Sequence, residues 1–298
     1  MSRKNLCVIL PTYFDGKTLR ELIPEIKLEV SKQRSFKLSV ILVIDDSMGA
    51  DLELKTVRFF SNVKILKPKK NLGNQKSIIS GILQAKKIDP AITHFLIMDS
   101  DGEDDPKGIF RILKSLDNED LELVVVKRGR RNDIDFQTKV MLNIFKVLFR
   151  ILTGKTWLSG NFSAFKTEWF DKNIETFRNS NVFASLLQAL PAKRAIVTLD
   201  RSARRFGQSV TNRHAKMNYA LDSLLPWVKM IQIRSLIFFA LSALNFLICS
   251  CIAIAGRFIW NFAAPNWFTI IVLSTLGLTF ISLNIFLATY TLRYVSSE

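Results

Sequence analysis

Thr93-His94-Phe95-Leu96-Ile97-Met98-Asp99-Ser100-Asp101 is an apolar run closed by two carboxylates one residue apart. The run has the length and composition of a buried strand. A strand of an open α/β sheet delivers the residues that follow it to its carboxyl edge, where such folds bind ligands. Two carboxylates held there suit Mg²⁺ or Mn²⁺ carrying a diphosphate, because these ions accept one or two carboxylates and complete their shell with phosphate and water.

Outward from this stretch, Val- and Ile-rich runs near 5–12, 37–45, 63–67, 94–99 and 122–127 alternate with helical patterns near 17–32, 51–60, 74–88 and 106–117. The alternation predicts an α/β domain with a largely parallel sheet covered by helices on both faces. Residues 138–152 are amphipathic, with Lys139, Asn143, Lys146 and Arg150 on one side and Phe145, Leu148, Phe149 and Leu152 on the other. That pattern fits a packed surface helix or a helix lying in a membrane interface.

The carboxyl-terminal part has a different composition. Residues 235–256 and 268–290 are uncharged runs of 22 and 23 residues, each about 33 Å long as a helix and able to cross a hydrocarbon core. Both read as transmembrane helices joined by a short loop, with Trp260, Trp267 and Tyr290 as interfacial anchors. Residues 1–234 hold 40 of the 42 Lys and Arg and 25 of the 26 Asp and Glu. The positive flank before the first span, including Lys229 and Arg234, predicts a cytoplasmic catalytic portion and both termini on that side. The expected division is 1–211 catalytic, 212–234 juxtamembrane and interrupted at Pro226, and 235–298 spanning.

A net charge of +16 suits an anionic membrane surface or phosphorylated substrates, and no pattern of a nucleic-acid-binding module accompanies it. The amino-terminal apolar stretch is too short for a signal peptide and reads as a strand. Cys7 lies in that strand, and Cys249 and Cys251 lie in the first span, so the cysteines suggest neither a disulfide framework nor a metal site.

Other strand ends also carry polar groups. Asp45-Asp46 closes the second strand and is followed by Ser47-Met48-Gly49, a pair able to accept hydrogen bonds from a base or ribose or to cap the next helix. Asn71-Leu72-Gly73 precedes the third helix, with Lys76 one turn on, a placement that brings backbone N–H groups toward a phosphate. Arg128 and Arg131 follow the fifth strand, and Arg201, Arg204 and Arg205 precede Gly207. Guanidinium groups of this kind serve a leaving diphosphate, a lipid phosphate or a solvated basic face.

Pro11-Thr12-Tyr13, Ile44-Asp45-Asp46-Ser47, Asn71-Leu72-Gly73, Asp99-Ser100-Asp101-Gly102-Glu103-Asp104-Asp105-Pro106 and Arg201-x-x-x-Arg205-Phe206-Gly207-Gln208-Ser209 together resemble the successive motifs of family 2 glycosyltransferases. The nearest branch in pattern is the polyprenyl-phosphate and dolichyl-phosphate sugar transferases, with a GT-A (Rossmann-like) domain, interfacial helices and a two-helix transmembrane hairpin. The resemblance implies that Asp99 and especially Asp101 organise the metal and the donor diphosphate. It implies a nucleotide-sugar pocket of Pro11, Tyr13, Asp15, Asp46, Asn71, Gly73, Lys76 and Asp99. Arg128, Arg131, Arg201, Arg205 and Ser209 would receive the acceptor phosphate, with Arg201 and Arg205 also serving catalysis. Asp15 stands where a Glu is usual, Glu103 where a Gln is common and Asp105 where a Pro is common. The stretch after Asp46 departs from the family pattern at Met48 and around Asp51. Ser159 and Asn161 match the segment beneath the acceptor.

The implied activity is inverting transfer of a sugar from a nucleotide-diphosphate sugar to undecaprenyl or dolichyl phosphate, with Mg²⁺ or Mn²⁺, at the cytoplasmic face of a bacterial inner membrane. The implied partners are the nucleotide sugar, polyprenyl phosphate and membrane lipids, with a homo-oligomer through the spans as a further expectation and no nucleic acid. The competing readings are a transferase using a glycan hydroxyl acceptor and an inactive membrane-tethered nucleotide-sugar-binding protein. His214 reads as a surface residue near headgroups.

Overall fold

The computed structural model describes residues 3–129, 136–158, 160–206, 213–258 and 266–295. Arg131, Ser159, Gly207, Ser209 and Trp260 fall outside the described residues, as do the side chains of His214, Trp267 and Tyr290.

Five strands follow the sequence reading: β1 (Lys4–Thr12), β2 (Phe36–Asp45), β3 (Val63–Leu66), β4 (His94–Ile97) and β5 (Leu123–Arg128). Two more, β6 (Ser163–Lys166) and β7 (Arg194–Leu199), complete a seven-stranded sheet of order β3-β2-β1-β4-β6-β5-β7. β6 runs antiparallel to both its neighbours, β4 and β5, whereas the other pairs are parallel. The sheet is therefore mixed. Burial on both faces explains the unbroken apolar runs: Leu6 through Leu10 and Phe95 through Met98 are 0% exposed, as central parallel strands require.

Alternate residues of each strand face opposite helical layers. On one side Leu6, Val8 and Leu10 meet α1 (Gly16–Ser31) through Leu19, Leu22, Ile23 and Ile26, and α4 (Gly108–Leu116) through Ile109, Ile112 and Leu113. On the other, Cys7 and Ile9 meet α3 (Asn74–Ile88) through Ile78 and Ile82. The same core layer holds Trp169 and Phe170 of α6 (Thr167–Lys172) and Phe183 and Leu187 of α8 (Phe183–Ala189). The helix expected over 51–60 is only α2 (Leu54–Val57). Asp51 lies before it, and its Oδ2 accepts the Gly16 amide at 2.8 Å, so Asp51 satisfies an orphan donor at the start of α1. A short α7 (Ile174–Arg178) follows α6, and α9 (Arg213–Asp222) follows the described part of the 201–206 stretch.

The chain divides into two compact units, 1–135 with 158–223, and 136–157 with 224–298. The first holds the sheet. The second holds α5 (Phe136–Thr153), a 3₁₀ turn (Leu225–Trp227) at Pro226, α10 (Val228–Phe258) and α11 (Asn266–Val295). Within it Phe149 meets Trp227 edge to face at 5.8 Å, and Arg234 donates to the Ile151 carbonyl at 3.0 Å. Ser242 of α10 and Ser282 of α11 lie 3.0 Å apart across the helix pair, and each hydroxyl also reaches a carbonyl of its own helix, Phe239 and Thr279. The most apolar windows of the last two helices are only 6% and 11% buried. A core helix of a soluble protein would be mostly buried, so both are of a kind that could span a membrane.

Candidate active site

β1 and β2 end in register, Thr12 opposite Asp45, so the residues after each strand share one edge of the sheet. Pro11 is the last residue but one of β1, and Tyr13 follows the strand, partly exposed and edge to face with Phe14 at 4.9 Å. Asp45 turns its Oδ1 to the Ser47 amide at 3.1 Å and hydroxyl at 2.5 Å, holding the turn. Asp46 accepts the Leu72 amide at 3.0 Å, and Asn71 accepts that of Gly73 at 2.9 Å. The Asp46 carboxylate thus fixes the loop that starts α3, and Gly73 supplies the left-handed φ of 73° needed there. Lys76 is exposed on the first turn of α3.

The Asp99-Ser100-Asp101 turn is the centre of a charged network. Asp99 Oδ2 accepts from Arg128 Nη2 at 2.7 Å, and its Oδ1 accepts from Asn161 at 2.9 Å and Asn74 at 3.3 Å. Asn161 also donates to Asn74 at 2.8 Å and accepts from Gln75 at 2.7 Å. Burial opposes the Asp99 charge, but Arg128 and these amides hold its carboxyl below the usual carboxylate range. Asp104 also meets Arg128, at 3.0 Å, and burial pushes its carboxyl up to about 6. Asp101 is pushed up to about 6 by burial and by the neighbouring Asp99 charge, with Arg204 and Arg201 opposing.

The stretch from Arg201 to Phe206 lies against this turn. Asp104 and Arg201 form an antiparallel bridge, Ser202 N–H donates to Glu103 O at 2.9 Å, and Arg205 N–H donates to Asp101 O at 3.3 Å. Side chains reinforce the pairing. Arg201 meets Glu103, and Arg204 reaches Asp15 at 2.6 Å and Asp101 at 3.7 Å. Asp15 also accepts from Ser100 at 2.9 Å. Arg205 instead forks onto Glu25 of α1 through two contacts of 2.7 Å, with its stem over Gly102. Gly102 has φ +80° and a Cβ there would sit 2.7 Å from Arg205 Cγ, so both conformation and space call for glycine.

The structure therefore brings Asp15, Asp99, Asp101, Arg128 and Arg201 into one charged cluster, with Asp46, Asn71 and Gly73 at the neighbouring tips. Arg205 fastens the edge of the cluster. Sequence alone does not single out Asn74, Gln75 or Asp104 as site residues; Arg204 it names among the guanidinium groups suited to phosphate, without a specific role. Asp104 and Arg204 stood within quoted motifs, whereas the amides gain meaning only once α3 and β6 are side by side.

Five carboxylates, Asp15, Asp99, Asp101, Glu103 and Asp104, face three guanidinium groups, Arg128, Arg201 and Arg204. An anionic diphosphate enters such a surplus of negative charge only with added positive charge. Among the described residues no group of three or more His, Cys, Asp or Glu is arranged to cage a metal. The donor set fits an ion that needs one or two carboxylates and takes its remaining ligands from phosphate and water, as Mg²⁺ and Mn²⁺ do.

Carboxylates and guanidinium groups gathered at the strand tips of a seven-stranded mixed sheet define a nucleotide-diphosphate-handling enzyme of GT-A fold. The chain belongs to glycosyl transferase family 2, whose model matches residues 7–184, and is thus a nucleotide-sugar transferase. No curated protein matches it. Among solved structures, mannosyl-3-phosphoglycerate synthase from Rubrobacter xylanophilus is similar over 78% of this chain and 74% of its own, at 14% identity and a TM-score of 0.53. Glucosyl-3-phosphoglycerate synthase from Mycobacterium tuberculosis, in complex with Mn²⁺, uridine diphosphate and phosphoglyceric acid, is similar over 76% of this chain and 78% of its own. Its identity is 15% and its TM-score 0.51. TarS 1–349 from S. aureus is 17% identical over 78% of this chain, with a TM-score of 0.42, and the match spans only 64% of that 1–349 chain. At these identities the likeness establishes the fold alone.

Proposed function

We propose that the protein transfers a sugar from a nucleotide-diphosphate sugar to a polyprenyl phosphate, with inversion at the anomeric carbon, at the cytoplasmic face of a bacterial inner membrane. The observation that carries this reading is chain continuity. The basic stretch that pairs with the Asp99-Ser100-Asp101 turn leads within the same chain to two exposed helices whose uncharged runs, 235–256 and 268–290, are long enough to cross a bilayer. The exposed apolar stripe of α5, Val140, Ile144, Val147, Leu148 and Ile151, supports a helix lying in the headgroup region beside Lys146 and Arg150.

In this reading Asp101, with Asp99 beside it, would hold the divalent ion, whose charge would offset that of the departing nucleoside diphosphate. Pro11, Tyr13, Asp15 and Asp46 receive the nucleoside, and the amides at Asn71 and Gly73, with Lys76, receive its phosphates. Arg128 keeps Asp99 ionised and aligned. Arg201, with Arg131 and Ser209, serves the acceptor phosphate, while Arg205, forked onto Glu25, holds the stretch that carries Arg201. That acceptor needs no protein base, because a phosphate monoester with a second pKa of about 6 is already largely dianionic near neutral pH. His94 lies at the opposite end of β4 from Asp99.

The test offers labelled nucleotide sugars to the full-length protein in detergent with polyprenyl phosphate or with glycan acceptors. The reading predicts a labelled, organic-extractable lipid product. Product formed only on glycan hydroxyls assigns the other acceptor class, and nucleotide uptake without any transfer assigns a binding protein.

A further inference from the structure

The oxygens of the two strand-tip carboxylates are not equally available. Asp99 Oδ2 is held by Arg128, and its Oδ1 by Asn161 and Asn74. Asp101 Oδ1 accepts the Glu103 amide at 3.0 Å. Among the described residues only Asp101 Oδ2 of these four oxygens lacks a close hydrogen bond, and the described group that faces it, at 3.7 Å, is Arg204 Nη1. A cation drawn to this pair has that oxygen as its most open ligand, and it meets Arg204 there.

The other arginines are tied elsewhere. Arg201 is engaged by Glu103, and Arg205 spends both ends of its fork on Glu25. Arg204 is anchored at its Nε, which donates to the Phe206 carbonyl at 3.0 Å, while its two terminal nitrogens face Asp15 and Asp101. Its fork therefore bridges the acid of the β1 tip and the acid that follows β4, across the space where a diphosphate and its cation would lie. A planar guanidinium that loses a carboxylate partner retains N–H donors matched to phosphate oxygens.

We propose that Arg204 and the divalent ion compete for Asp101, and that uptake of the ion turns the Arg204 fork from carboxylate to the donor diphosphate. Arg204 is then a substrate-binding residue for the leaving group, and the Arg205–Glu25 fork holds the backbone from which it acts. This inference rests on the metal-assisted nucleotide-sugar reading above and adds to it the residue that couples the two ligands.

Mn²⁺ binding to full-length protein in detergent, read by the loss of the free-ion electron paramagnetic resonance signal, is measured for wild type, Arg204→Ala and Arg204→Lys, followed by UDP and GDP titration at saturating Mn²⁺. Arg204→Ala removes the competitor and should bind Mn²⁺ alone about tenfold more tightly, yet bind the nucleotide about tenfold more weakly. Arg204→Lys should return Mn²⁺ affinity toward wild type and recover only part of the nucleotide affinity, since an ammonium cannot fork. A residue that merely holds the loop would weaken both when removed. Weakening of both, an unchanged Mn²⁺ affinity, or no Mn²⁺ uptake by either wild type or Arg204→Ala overturns the proposal. Opposed shifts without sugar transfer to polyprenyl phosphate leave the competition standing and reject the acceptor assignment instead.

Discussion

Arg128 and Asp99 meet at 2.7 Å across the carboxyl edge of the sheet, although β6 lies between the strands that carry or precede them. The antiparallel insertion of β6 makes the contact useful, because its approach residue Asn161 donates to the same carboxylate from the intervening position. One guanidinium serves both Asp99 and Asp104, and all three side chains are at most 15% exposed.

Arg128→Met is accordingly expected to leave two buried carboxylates without their cation, at a cost of about 3–5 kcal/mol. Urea unfolding in detergent measures it. Adding Asp104→Asn should recover part of the loss, because one uncompensated charge is removed; a double variant no more stable than Arg128→Met would contradict the pairing.

His94 gives the fold an acid-sensitive element. The residue is 5% exposed, Nδ1 lies 2.8 Å from Thr93 Oγ1, and Nε2 is buried without a hydrogen-bond partner among the described residues. Burial lowers its pKa from 6.5 to about 4, aided by Lys4 and Lys166 and opposed by Asp117. The unfolded chain binds this proton first as pH falls. Its neutral form therefore supports full stability above about pH 6.5, and about 3 kcal/mol is lost as pH drops through 4. Asp101 and Asp104, raised to about 6, act in the opposite direction, so the His94 contribution is read as a difference. His94→Gln should therefore lose less stability on acidification than wild type, the difference between the two profiles changing by about 3 kcal/mol between pH 6.5 and 4; parallel profiles would contradict the assignment.

Gly102→Ala tests the seating of the basic stretch. The added methyl meets Arg205 Cγ at 2.7 Å on a backbone of φ +80°, a conformation costing an L-residue roughly 1–2 kcal/mol. Sugar transfer should fall at least tenfold while the far-ultraviolet circular dichroism is unchanged. Wild-type turnover in this variant would detach the Arg205 contact from function.

For α5, a fluorophore at Val147→Cys should be quenched by lipid-borne spin labels in proteoliposomes and shielded from aqueous iodide, with the reverse at Lys146→Cys. Both use a chain with Cys249 and Cys251 replaced by Ser. Equal iodide access at the two positions would place the stripe in water.

Much of this architecture was legible in residue order. Unbroken Val and Ile runs marked β1 to β5 because burial on both faces leaves no room for polar alternation. β6 has four residues ending in Lys166, and β7 begins at Arg194 and is exposed at Ile196, so neither carries that signal. Without β6 the sheet read as largely parallel, and the amides that surround Asp99 had no visible partners. Asp51 departed from the family pattern, and its bond to the Gly16 amide is a contact between distant segments that spacing does not encode. α10 begins at Val228, before the uncharged run, because Lys229 and Arg234 are good helix formers despite their charge.

The most direct measurement is calorimetric titration of the folded, full-length protein with UDP and GDP, with Mn²⁺ or Mg²⁺ present and again with the metal chelated. The account predicts nucleotide uptake that needs the divalent ion and falls at least tenfold in Asp101→Ala, which should keep the wild-type unfolding midpoint. Equal uptake with and without the ion, or an unaffected Asp101→Ala protein, would contradict it.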